Sequence, residues 1–233
     1  MKDRPFLISG ILGLGAVIMT LALSAIGPRP TAPLPGGFVT PVLAFEFAES
    51  PGEVSELLAP EGSIEAMDRL NRWDFLYMVL YSGCLLAFAL VCARLTGRRI
   101  FYIAAALALL ILFADAMENV QLLAITRLMD DSDVAPILAQ LTPLLNRLRL
   151  FTWLKWGGLA FYFLLLIPYF RGLAGPWRWV WLIGLLPALL AVVATFARGL
   201  PNELMALAIG LLFLLLTVYA WRFKQPAPMP ATI

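Results

Sequence analysis

Six stretches of about twenty apolar residues, each ended by charges, glycine or proline, occupy most of this 233-residue chain. A helix rising about 1.5 Å per residue needs about 20 residues to cross a hydrocarbon core about 30 Å thick. Lipid offers the backbone no hydrogen-bond partner, so helices are the solution open to such runs. The expected fold is therefore an all-α integral membrane helical bundle with six transmembrane helices, near 6–26, 74–95, 100–125, 150–170, 179–197 and 203–222. Outer loops fall at 27–73 and 126–149, and residues 1–224 form a single transmembrane domain. With 61% of residues hydrophobic and 14% charged, no room is left for a separate soluble domain. The segment 225–233, with Pro226, Pro228 and Pro230, is expected to be a disordered cytoplasmic tail.

Charge sets the orientation. With the amino terminus cytoplasmic, the inner segments hold Lys2, Arg4, Arg94, Arg98, Arg99, Arg171, Arg178, Arg222 and Lys224 against the single acid Asp3. The outer side then carries the other eight cations and fourteen of the fifteen acids. That split obeys the positive-inside rule and puts both termini in the cytoplasm. Trp73, Trp153 and Trp156 fall at outer helix ends, and Trp177, Trp179, Trp181 and Trp221 at inner ones, where amphipathic rings settle. The net charge of +2 carries no sign of nucleic-acid binding. A second reading of the first span stands beside this one: Lys2 and Arg4 precede an apolar stretch ending Ala22-Leu23-Ser24, a small-residue pattern that suits a signal-peptide cleavage site. The apolar run is longer than the usual cleaved core, which favours a retained span.

Much chemistry is excluded. The chain has no histidine, so histidine-ligated metals, axial haem histidines, Ser-His pairs and imidazole proton relays are absent. No metal site and no cofactor is expected, and no catalytic set emerges. Cys84 and Cys92 lie on different faces of one helix, about 12 Å apart, too far to bond to each other. Gly10, Gly13 and Gly15 lack the strand and lysine of a phosphate loop and read as close-packing residues of a membrane helix. Ser82 and Cys84 lie too deep to use Lys155 as a base.

The outer loops carry order. After the linker containing Pro28, Pro30, Pro33 and Pro35, Ser50-Pro51-Gly52-Glu53 supplies an N-cap, a first-position proline and a glutamate three residues on. Val54, Leu57 and Leu58 give that helix an apolar stripe. A similar plan follows about eighty residues later, Asp130 answering Ser50 and Asp133-Val134 with Ile137-Leu138-Ala139 answering Glu53-Val54 with Leu57-Leu58-Ala59. Two readings fit: an internal repeat of spans one and two in spans three and four, or chance likeness between amphipathic helices. Both expect two short amphipathic helices on the outer face.

The third span carries Asp115, Glu118 and Asn119 at i, i+3 and i+4, on one helical face. Counted from the inner anchors, Asp115 lies roughly 22 Å and Lys155 of the fourth span roughly 24 Å into the membrane. Asp74, Tyr77 and Tyr81 of the second span reach the same outer-half layer. A charge at that depth costs several kcal/mol unless paired or wet, so Asp115 and Lys155 are the expected pair. Bland readings run alongside: the pair fixes helix register, Asn71 and Asp74 cap a helix start, and Lys155 snorkels outward beside Trp153 and Trp156. Arg69, Arg72, Arg147 and Arg149 form a basic outer fringe.

The stretch Asp115-Ala116-Met117-Glu118-Asn119, followed by Lys155-Trp156, resembles a pattern in uncharacterised small bacterial polytopic membrane proteins, and it implies no activity. The alanine, leucine and arginine richness is also similar to bacterial chains, making a bacterial plasma membrane the expected location. The expected role is binding or transport of a small solute, proton or lipid headgroup at a pocket formed by Asp115, Glu118, Asn119, Lys155, Asp74, Tyr77 and Tyr81. The alternatives are a scaffold subunit with a purely structural cluster and a lipid-modifying enzyme using Glu118 or Asp115 as base. Partners consistent with the sequence are the lipid bilayer, a small-molecule or lipid ligand and a second copy in a homodimer. Nucleic acid is not among them.

Overall fold

The computed structural model describes residues 4–30, 32–130 and 134–223, with the backbone alone for 134–139. Its helices are α1 (Leu7–Ile26), α2 (Pro41–Glu46), α3 (Pro51–Leu58), α4 (Ser63–Thr96), α5 (Ile100–Asp130), α6 (Val134–Arg171), α7 (Val180–Ala194) and α8 (Leu200–Arg222). Among the described residues there is no strand. Six of these helices are long and apolar enough to cross a membrane, so the chain is an all-α multi-pass bundle.

The six long helices form a closed ring. α1 packs on α4, α4 on α5, α5 on α6, α6 on α7, α7 on α8, and α8 returns to α1. Short connections make neighbours antiparallel, so Phe6 and Phe223 meet at one end of the bundle, ring centroids 5.2 Å apart. The α1 seam depends on a small residue. A Cβ on Gly13 would lie 2.3 Å from Thr217 Oγ1 of α8 and 3.2 Å from Cys84 Sγ of α4, so a larger side chain cannot fit between three helices. Leu109, Phe113, Val120, Leu189 and Leu207 are among the many apolar side chains exposed on the outside of the ring. Such a surface suits lipid rather than water.

The interior is filled in layers. At the end where Phe6 and Phe223 meet, Phe6, Phe88, Tyr169 and Tyr219 pack ring on ring, with the Tyr169 and Tyr219 hydroxyls 2.7 Å apart. In the middle, Tyr162 donates to the carbonyl of Leu85 at 2.7 Å, and Phe163 meets Phe213 edge to face. Charged groups gather at the other end, beneath α2 and α3.

Those two short helices form a cap. α3 starts as its sequence dictates: the Ser50 hydroxyl accepts the Glu53 N–H at 3.3 Å, Pro51 takes the first helical position, and Val54, Leu57 and Leu58 are buried. α2 is not foreshadowed by the spacing of its residues. Glu203 of α8 holds it, accepting the N–H groups of Val39 and Thr40 at 2.8 and 2.7 Å and the Thr40 hydroxyl at 2.7 Å. Arg198, in the α7–α8 turn, clamps α3 by donating to both oxygens of Glu53 at 3.0 and 2.9 Å and to the Phe47 carbonyl at 2.7 Å. That guanidinium holds the Glu53 carboxyl below its ordinary value of 4.5, although burial works the other way. Glu53 in turn raises the Arg198 guanidinium. The turn needs glycine at 199, with φ +84°, where a Cβ would meet the Gly36 carbonyl oxygen at 2.4 Å.

The helix bounds differ from the expected spans. α4 begins at Ser63, so Asn71 and Asp74 lie inside a continuous helix and neither caps one, which corrects the capping reading. α5 continues to Asp130, and the backbone from Val134 runs unbroken into α6 through Pro143. The second short outer helix is thus an extension of the fourth long helix rather than a separate piece. Residues 131–133 and the side chains of 134–139, which carry half of the expected repeat, lie outside the described residues, as does the tail 224–233.

Candidate functional site

Helical register brings the charges together. Asp115 and Glu118 stand one turn apart on α5 and face Lys155 of α6. The Lys155 ammonium, with its side chain 7% exposed, lies 3.4 Å from Asp115 Oδ1, in direct contact with Glu118 Oε2, and 3.1 Å from Glu46 Oε2. Three carboxylates thus lie within ion-pair distance of one ammonium. Lys155 therefore points inward; the outward-snorkelling reading does not hold. Its ammonium also lies 5.1 Å from the centre of the Trp156 ring.

Each carboxylate has a further donor. The Tyr81 hydroxyl donates to Asp115 Oδ2, and the Thr152 hydroxyl donates to Glu118 Oε1 at 2.5 Å. Trp156 Nε1 donates to Glu46 Oε2 at 2.8 Å. Asn119 Nδ2 reaches across to α4 and donates to Asp74 Oδ2 at 2.6 Å. Tyr77 joins as a ring packed on Tyr81, centroids 5.1 Å apart. Lys155, Asp115, Glu118, Tyr81 and Tyr77 are thus joined by direct contacts, and the Asn119–Asp74 bond ties α5 to α4 beside them.

Three members were not foreseen as site residues. Thr152 lies one turn before Lys155 and its hydroxyl also meets the Glu46 carbonyl at 3.1 Å. Trp156 had a membrane-boundary role in the sequence reading and here serves as a hydrogen-bond donor. Glu46 comes from the cap, at the last residue of α2, and no periodicity points to it; the one available signal is an acid set between Phe45 and Phe47. Of the basic fringe, Arg72 pairs with Asp68 at 3.1 Å and Arg149 lies 3.8 Å from Glu49.

Charge balance is the dominant physical fact. Three carboxyl groups, Glu46, Asp115 and Glu118, lie within ion-pair distance of one ammonium, a fourth, Asp74, is bonded to Asn119 nearby, and Glu118 is fully buried. Full ionisation would leave three negative charges uncompensated in a medium that penalises each by several kcal/mol. Among the described residues no group of His, Cys, Asp and Glu has the geometry of a metal site. Protons on the carboxyl groups, or a cationic group of a ligand, are what such an arrangement can take up.

A cavity of about 430 Å³ opens beside this network, lined by Glu46, Glu49, Arg149, Trp153, Phe196 and Arg198 with their neighbours. Glu46 belongs to both: its Oε2 meets Lys155 and Trp156, and the residue lines the cavity. Compared with family models, curated proteins and solved structures, the chain matches none.

Proposed function

We propose that this chain is a multi-pass protein of a bacterial plasma membrane, with both termini cytoplasmic, that takes up protons or a small cationic ligand at its carboxylate and lysine network. One observation carries the reading: three buried carboxyl groups lie within ion-pair distance of a single ammonium, and a fourth, Asp74, is held beside them by Asn119. A purely structural ion pair needs one carboxylate. Each extra acid costs stability unless neutralised, and such groups in membrane helices commonly serve proton or ligand binding. In this reading Asp74, Asp115 and Glu118 accept the protons or the cation, Lys155 is the fixed counter-charge, and Tyr81, Tyr77 and Asn119 orient the acceptors. The cationic ends of the helices face the cytoplasm, and the network faces the outer leaflet.

Infrared spectra of the purified protein in lipid nanodiscs, recorded through a pH titration, test this. Protonated carboxyl groups absorb apart from carboxylates, and the expected result is a carboxyl band that grows on acidification and shrinks in Glu118→Gln or Asp74→Asn. Proteoliposomes with an internal pH dye then separate binding from flux. The second reading is a scaffold, favoured by the three ion pairs that already hold the Lys155 ammonium. It expects no carboxyl band that responds to pH and no flux; that outcome would falsify the proton reading.

A further inference from the structure

The cavity between the cap, the start of α6 and the α7–α8 turn has a lining that is charged in a balanced way. Glu46 and Glu49 face Arg149 and Arg198 across it. Two of the four charges are already spoken for. Arg198 is committed to Glu53, Glu49 and the Phe47 carbonyl, and Glu46 is turned toward Lys155. The loose contact is between Arg149 and Glu49: the Arg149 side chain is 63% exposed and lies 3.8 Å from Glu49 Oε1, while Arg198 holds Oε2 at 3.1 Å, so one oxygen of this carboxylate, 41% exposed, is left for a ligand. A ligand that is only anionic would meet two glutamates, and one that is only cationic would meet two arginines. A ligand carrying one of each charge can replace the loose Arg149–Glu49 contact with two better ones.

The surroundings point to lipid. Phe196, on the rim, is 87% exposed, and Leu189, Val192 and Val193 continue an exposed apolar surface down the last turns of α7. Trp153 supplies an amphipathic ring on the α6 side. A volume of about 430 Å³ falls within the range of small-ligand sites, roughly 300–1,000 Å³.

We propose that this cavity binds the headgroup of an aminophosphate lipid of the phosphatidylethanolamine type, its phosphate on Arg149, its ammonium on Glu49, and its chains over Phe196. The site goes beyond the proton reading and touches it at Glu46, whose carboxylate separates the headgroup from Lys155.

The full-length protein in maltoside detergent is offered dihexanoyl phosphatidylethanolamine, dihexanoyl phosphatidylglycerol or glycerophosphoethanolamine, and bound molecules are counted by native mass spectrometry. The expected result is a preference of about tenfold for the ethanolamine lipid over the glycerol lipid, the effect of one charge-assisted hydrogen bond. Glu49→Gln should erase that preference, Arg149→Gln should weaken both lipids, and Phe196→Ser should weaken the lipid while leaving the chain-free headgroup unaffected. Equal binding of the two lipids, a preference that survives Glu49→Gln, or lipid binding unchanged in Arg149→Gln overturns the site. Glycerophosphoethanolamine binding as tightly as the lipid supports the aminophosphate chemistry and overturns a lipid source. Proton uptake by the network is read separately by infrared, so either proposal can fail while the other stands.

Discussion

Glu46 Oε2 and Lys155 Nζ lie 3.1 Å apart, and they join two kinds of element: the last residue of a short loop helix and a residue deep in a long span. The cap and the interior of the ring are therefore one electrostatic unit. Anything that moves α2 changes the number of acids facing the ammonium, and anything that changes the ammonium alters how firmly α2 is seated.

Lys155→Met should strongly destabilise the protein, by about 3–5 kcal/mol, because Asp115, Glu118 and Glu46 lose their shared cation. Adding Glu118→Gln should recover part of that loss, with a coupling of about 0.5–3 kcal/mol. Thermal unfolding of the two single variants and the double variant in detergent measures it; additive effects would mean that the contact carries no energy.

The clamp between Glu53 and Arg198 should respond to acid. Glu53 titrates below 4.5 in the folded protein, so its contribution is complete above that value and is lost as pH falls through the lower folded value. Both groups are partly exposed, and the contribution is about 1 kcal/mol or less after solvent screening. Unfolding temperatures of the wild type and Glu53→Gln, compared from neutral pH downward, should converge below about pH 4.5.

Gly199→Ala places a Cβ 2.4 Å from the Gly36 carbonyl oxygen in a left-handed conformation. The expected cost is about 1–3 kcal/mol. Since Glu203 and Arg198 both depend on that turn, protease cleavage within 32–48 should accelerate; an unchanged cleavage rate would mean that the loop is held by other contacts.

Gly13→Val should separate α1 from α8 and α4, at a cost of about 1–3 kcal/mol. Removing the opposing hydroxyl and methyl with Thr217→Gly should return part of the loss. If Thr217→Gly gives no rescue in the Gly13→Val background, the seam is not where the steric conflict lies.

Much of this was readable because membrane helices obey two simple rulers. Period placed Asp115, Glu118 and Asn119 on one face, and rise per residue placed Lys155 at the depth of Asp115. Both rulers work within a helix and fail between elements. Glu46 reaches the network because Glu203 captures Thr40 and Arg198 captures Glu53, contacts between residues far apart in the chain. Amphipathic pattern also does not say where a helix ends. The stripe after Asp130 is the same whether its helix floats at the surface or extends a span, and here its backbone extends α6. Asp74 shows the same ambiguity in reverse: a residue with good capping neighbours becomes interior once the helix starts at Ser63.

The seam between α1 and α8 sets a schedule for making the protein. α1 takes as a neighbour a helix synthesised well after it, and at roughly 5–20 residues per second the 173 residues from Gly27 to Gly199 take about 10–35 s. During that interval the Gly13 groove and the Ser9 hydroxyl can dock on α4, where Ser9 donates to the Cys84 carbonyl at 3.0 Å, while the side meant for Thr217 and Trp221 faces lipid or the insertion machinery. The ring therefore closes only once α8 has been made, and until then α1 is held on one side alone.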